Sequence, residues 1–208
     1  GSNITFNATI DSDKKIITIN PSNNFNSEQV IYLSLAAVED QAGNATATTS
    51  ISFTARDSDP PVVSFFPSNS AVNVLRNSDI TISFTEAIRN LDNTPITDAN
   101  IDGLITLKAS NSSGADISFD AFIDSTKENI TITPTSNLPL NQVIYVAISA
   151  SVEDEWDNAI AASSASFTTI DDRLSVTFDP ADGTTGLPVN TNVIMTFSDA
   201  IRYLDDSL

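Results

Sequence analysis

The chain has 208 residues, 40% of them hydrophobic, and a net charge of -18 from 27 acidic and nine basic residues. That apolar share supports a folded core and excludes a disordered acidic tail, while the charge repels nucleic-acid phosphates and anionic lipid and leaves cations, Ca²⁺ above all, as favoured small partners beside plain solubility. Cysteine and histidine are both absent, which removes thiol nucleophiles, disulfides, Cys/His zinc sites and every His-based triad.

Ile, Val and Phe recur beside Thr and Ser, and runs of helix formers are scarce, so the chain reads as all-β. Gly1-Ser2 has the form of a cleavage scar, so the chain reads as cut from a longer protein. No run is long and apolar enough to span a membrane. In chain order, "ITINPSNNFNSEQVIY" (17–32) leads into "VIYLSLAAVEDQAGN" (30–44) and "ISFTARD" (51–57). Residues 58–171 then predict seven strands, at about 62–66, 79–85, 104–109, 116–123, 129–133, 143–150 and 164–170. Turn chemistry separates them, including "PSNS" (67–70), "SNSSG" (110–114) and "EDEWDN" (153–158). "EAIRNLD" (86–92) carries the one hint of a helical turn. Ile80, Ile82 and Phe84 form one inward stripe by alternation, and Ile144, Val146 and Ile148 another. Trp156 is expected to cap one end of the core.

A shift of 113 makes the chain repeat itself. Residues 17–32 fall on "ITITPTSNLPLNQVIY" (130–145), and "ISFTEAIRNLD" (82–92) falls on "MTFSDAIRYLD" (195–205). Phe65 falls on Phe178 and Pro67 on Pro180. "ISFTARD" falls on "ASFTTID" (165–171) with one residue inserted. The period assigns 3–57 to the back half of one unit, 58–171 to a complete unit and 172–208 to the opening strands of a third. Seven short strands in such a unit predict an immunoglobulin-like antiparallel β-sandwich, repeated in tandem.

The strand "YVAISASVED", the turn "EDQAGN", the closing "SFT" before an acidic linker and the opening "FDPADGTTGLPVNTNVIMTFSDAI" (178–201) resemble the bacterial immunoglobulin-like domains. These are tandem modules of surface-layer proteins, adhesins and secreted multidomain proteins. The chain departs from the family pattern at three places. Ile144 stands where an inward Tyr is usual, and Tyr145 is one step along on the opposite face. Asp157 stands where the first turn has Gly43, at a position expected to be left-handed. "SFFPSNSAVNV" (64–74) lacks the Asp and Gly of the other opening. The resemblance implies a non-enzymatic spacer or stalk in a large extracellular or cell-surface protein, linked to adhesion, with neighbouring immunoglobulin-like domains as partners. The alternative is a ligand-binding adhesin or carbohydrate-binding module, Ca²⁺-dependent or not.

The acidic, Pro-bearing linkers 55–67 and 169–180 are similar to cadherin junctions, where Ca²⁺ stiffens the array. On that likeness Asp57, Asp59, Asp171 and Asp172, with Glu153 and Asp154 from a nearby turn, are the candidate metal ligands. The competing account is a solvated, Pro-stiffened hinge without a cofactor. For "EDQAGN" and "EDEWDN" the favoured reading is structural, with the Asp side chain capping the backbone N–H groups of its turn. Carboxylates such as Asp92, Asp98 and Asp102 read as surface acids, because a glycosidase needs its pair across a cleft. Tyr32, Tyr145, Trp156 and Tyr203 are the aromatic candidates for a sugar platform.

The two end pieces nearly rebuild one unit under the 113 shift, missing the third strand, "LITLKA" (104–109). The two ends of a sandwich leave from opposite poles, so the expectation is strand complementation between molecules, residues 172–208 of one chain against 3–57 of another.

Overall fold

The computed structural model describes residues 3–203, and the last five residues of the expected 172–208 unit fall outside them. Residues 3–57 form two antiparallel hairpins. β1 (Phe6–Ile10) pairs with β2 (Ile17–Pro21), and β3 (Val30–Leu35) with β4 (Thr49–Thr54). The first hairpin is closed by Asp11, whose Oδ1 accepts hydrogen bonds from the Lys15 and Ile16 N–H groups at 2.7 and 3.1 Å.

The central segment contains β5 (Val63–Phe66), β6 (Ile80–Phe84), β7 (Arg89–Asn90), a 3-10 helix at Ile101–Leu104, β8 (Ile105–Ala109), β9 (Phe119–Ile123), β10 (Asn129–Pro134), β11 (Val143–Ile148), β12 (Val152–Glu153) and β13 (Ser163–Thr168). One sheet has the order β5-β6-β10-β9, the other β13-β11-β8, with all pairs antiparallel. This four-on-three arrangement is the constant-type immunoglobulin sandwich. Both sequence stripes meet in its core: Ile80, Ile82, Ile144 and Val146 are fully buried. After the central segment comes one further hairpin, β14 (Val176–Asp179) with β15 (Ile194–Phe197).

Three expectations need correction. The central segment has nine strands, because β7 and β12 add a two-residue pair to the seven longer ones. "EAIRNLD" is not helical: Ile88 is buried and its N–H donates to the Lys127 carbonyl at 3.1 Å, which draws the segment across the sandwich and lets Arg89–Asn90 pair with Val152–Glu153. The helical turn lies at Ile101–Leu104, where Ile101 is buried. Trp156 does not cap the core. It is 42% exposed, and Val152 and Ile160 are the buried apolar side chains on either side of its turn.

Two devices finish the sandwich. The outer edge of β9 is covered by carboxylates: Asp102 accepts from the Ala121 N–H at 3.1 Å and Asp98 from the Ile123 N–H at 3.2 Å, which satisfies groups that would otherwise invite another strand. Residues 70–74 then leave the β5 sheet and run parallel to β13. The Ser70 and Val74 N–H groups donate to the Ser166 and Thr168 carbonyls (2.6 and 3.1 Å), and the Thr168 and Ile170 N–H groups donate to the Ala71 and Val74 carbonyls (2.8 Å each). Ser70 and Asn73 take positive φ there (67° and 56°), and Gly183 and Gly186, 113 residues on, do the same at 77°. The backbone bend is therefore shared although the central opening lacks the glycines. The turn before β13 touches the entering linker at Asp57, whereas β13 ends beside the leaving linker at Asp171. The chain enters and leaves at opposite poles.

Candidate functional site

The entry junction is organised by the turn 153–158. Asp154 is fully buried. Its Oδ1 accepts from the Trp156 and Asn158 N–H groups at 2.7 and 2.9 Å, and its Oδ2 from the Asn158 side-chain amide at 2.7 Å. The first turn does the same with Asp40, which accepts from the Ala42 and Asn44 N–H groups at 2.9 and 2.8 Å and from the Asn44 side chain at 2.9 Å. Gly43 and Asp157 are the left-handed residues, at φ 82° and 67°. The capping role expected of both Asp residues is what the geometry shows.

The linker is tied to this turn. Asn158 donates to the Asp57 carbonyl at 3.4 Å, the Arg56 guanidinium donates to the Trp156 carbonyl, and the same guanidinium lies 6.0 Å from the Trp156 ring centroid. On the other side, the Asp57 carboxylate accepts from the Ser27 hydroxyl and from the Asp59 N–H at 3.0 Å. Those bonds, the Ser27 hydroxyl first, hold the Asp57 carboxyl below its ordinary range.

The six candidate ligands do not form one site. Carboxylate oxygens of Asp57 and Asp154 converge with that of Glu86, all within 4.8 Å of one another. Glu153, 5% exposed, is instead held by Arg89 Nε at 3.2 Å, and Arg89 also bonds Asp157 at 2.7 Å. Asp59 is exposed and reaches Asp57 only through its backbone. Asp171 and Asp172 belong to the opposite pole. Asp171 is gripped by both arms of Arg173 at 2.8 and 2.6 Å, which brings its carboxyl down to about 2, and Asp172 faces Arg76 at 3.5 Å. Nearest-neighbour arginines account for that split.

Glu86 was not among the sequence candidates. It lies two residues beyond the end of β6, and its carboxyl is pushed up by burial and then by the charges of Asp154, Asp57, Glu28 and Glu155. A signal was available: Asp199 stands 113 residues on, so an acid recurs at this place in both openings.

Asp98 and Asp102 act as the strand-edge caps described above, and Asp92 caps its own turn through the Thr94 N–H at 3.1 Å. The aromatic candidates are dispersed over β3 (Tyr32), β11 (Tyr145), the 153–158 turn (Trp156) and the end of the described chain (Tyr203). Among the described residues, no helix is long and apolar enough to cross a membrane.

A search of curated proteins gives no match. Residues 56–169, more than half of the chain, match the family described as the bacterial Ig-like domain. Domains of this family are structural and non-catalytic, and they are typical of bacterial surface and secreted proteins. The match covers the whole four-on-three sandwich together with its entry linker and its Asp-capped turn, and the chain belongs to the bacterial Ig-like domain family.

Proposed function

We propose that the chain is a spacer or stalk segment of a large secreted or cell-surface bacterial protein, in which 3–57, 58–171 and 172–208 belong to three successive units and hold an adhesive or catalytic head away from its anchor. The observation that carries this reading is the opposite-pole path of the chain, with an entry linker bonded on both sides, to Ser27 before it and to Trp156 and Asn158 after it. Beads joined in this way add length without adding breadth, and bonded linkers limit bending. Small-angle scattering on chains with one, two and three copies of 58–171 joined by their own linkers tests it. The maximum dimension is expected to grow by an equal increment per copy; compact particles would sink the reading.

A second reading, a Ca²⁺-stiffened entry junction, is favoured by the convergence of Asp57, Glu86 and Asp154. Three carboxylates supply part of the six to eight oxygens that Ca²⁺ takes, and Asp154 already spends both its oxygens on its own turn. A thermal melt in millimolar Ca²⁺ and again in chelator, at fixed ionic strength, decides it. A rise of several degrees that Glu86→Gln removes would establish the clamp, and coincident melts would leave a Pro-stiffened hinge without a cofactor.

A further inference from the structure

The central four-stranded sheet turns Ile80, Ile82, Ile130 and Ile132 into the core, and the residues that alternate with them form its outer face. Within these four strands the exposed large apolar side chains are Phe66 on β5 and Phe122 on β9, at 67% and 48%. Register links their places. Phe66 lies opposite Thr81, Thr81 opposite Thr131, and Thr131 opposite Phe122. One row therefore crosses the whole sheet, with a ring at each edge and two half-buried Thr side chains between them. Three strand spacings, about 14 Å, separate the two ends. The row on one side holds Asp79, Thr133 and Asp120, where the Thr133 hydroxyl donates to Asp79 at 2.8 Å. The row on the other side holds Ser64, Ser83 and Asn129.

The fold does not require these two rings, since a side chain that stays in water on folding adds little burial energy. The internal repeat says the same. At the shift of 113 the inward residues recur: Ile130 and Ile132 have Ile17 and Ile19, and Phe65 has Phe178. The outward rings do not recur: Thr9 stands at the place of Phe122 and Asp179 at that of Phe66. The face lies on the flank of a complete sandwich, whereas the two linkers meet that sandwich at its poles.

Charge and pattern select the occupant. β5, β6, β9 and β10 carry no Lys or Arg. Asp79 and Asp120 border the row in a chain of net charge -18, so an anionic ligand is repelled. A protein partner is matched by an apolar centre inside a polar rim; here the rings are at the rim and the hydroxyls at the centre. A sugar chain has the complementary pattern. The C–H faces of its rings are apolar and pack on aromatic rings. Its hydroxyls donate and accept, as Thr hydroxyls do, and they donate to carboxylates. We propose that this face binds an uncharged glycan laid along the Phe66–Thr81–Thr131–Phe122 row, with one sugar ring on each Phe and the stretch between them hydrogen-bonded to Thr81, Thr131 and Asp120. The inference goes beyond the spacer reading and does not rest on it, because the length added per unit is indifferent to what the flank holds.

Native gels of the full chain, cast with soluble polysaccharides, test the assignment. Hydroxyethylcellulose, galactomannan and dextran are the uncharged probes, and polygalacturonate is the anionic one. Retardation is expected in at least one uncharged gel and not in polygalacturonate. Phe66→Ala and Phe122→Ala should each weaken that binding about tenfold, while Tyr145→Ala, on the outer face of the other sheet, should leave it unchanged. Both Phe variants should melt with the parent chain, since their rings already face water; a binding loss at an unchanged melt is then a loss of contact and not of fold. The proposal is overturned by free migration in every uncharged gel or by retardation that the Phe66→Ala/Phe122→Ala double variant retains. It is equally overturned by calorimetric binding of oligolysine that the double variant loses, which would make the face a site for basic peptides.

Discussion

Ile130 and Ile17 occupy the same place in the same strand pattern, yet one is fully buried and the other is 49% exposed. The same contrast holds for Ile82 against Met195 and for Phe167 against Phe53. Local structure does not differ: β9, β10 and β11 have hairpin counterparts in β1, β2 and β3, and the left-handed residues Lys127 and Asn141 have counterparts in Lys14 and Glu28. What differs, among the described residues, is whether a facing sheet lies against the strand. Strand pairing and turn capping are set within a few residues, whereas burial needs partners from across the sandwich.

The largest test of that difference is a paired truncation. Ile82→Ala is expected to destabilise the central sandwich by about 2–5 kcal/mol in a denaturant melt, and Met195→Ala at low protein concentration should leave that transition in place. Equal effects would break the comparison. The next is the pair of turn caps. Asp154→Ala removes a fully buried carboxylate that accepts three hydrogen bonds from its turn and is expected to cost about 2–3 kcal/mol. Asp40→Ala, in an exposed copy of the same turn, should leave the central melt unmoved and change only the hydrogen exchange of the Ala42 and Asn44 amides. A smaller effect of opposite sign comes from the left-handed bend. Ser70→Gly matches the Gly183 counterpart and should stabilise by up to about 1 kcal/mol, read as a higher midpoint at unchanged slope.

The smallest is electrostatic. The folded-state pKa of Glu86 is raised, so the folded chain binds that proton more tightly than the unfolded chain. Its ionisation therefore costs stability above the folded pKa, and stability returns as pH falls through it. Glu86→Gln should raise the melting temperature slightly at pH 7, with the gain vanishing near pH 4, where the unfolded carboxyl is itself protonated. A gain that persists at low pH would assign the effect to packing instead of charge.

Much of the sandwich was legible because alternation and turn residues are local. Ile80, Ile82 and Phe84 announce a strand with one buried face, and the polar stretch "DSTKEN" (124–129) marks the turn that Asp124 closes by accepting from the Glu128 and Asn129 N–H groups. "EAIRNLD" misled because helix propensity is weak beside the burial of Ile88. Trp156 misled because a lone large aromatic reads as core, while here its ring faces Arg56 across the linker. The acidic linkers look equivalent in sequence, yet each carboxylate answers to its nearest cation or hydroxyl: Asp171 to Arg173, Asp172 to Arg76, Asp57 to Ser27. Glu86 was missed because its meeting with Asp57 and Asp154 joins three separate stretches of chain, which no spacing rule connects.

The parallel run of residues 70–74 beside β13 has one more consequence. Its strand lies just after the chain enters at one pole, and β13 lies just before the chain leaves at the other. Tension applied between the two poles pulls the two strands in opposite directions along their own length. The four backbone hydrogen bonds between them are then loaded in shear, and they must break together instead of unzipping in turn. A sandwich wired in this way resists stretching at the place where a tether to a surface would pull on it.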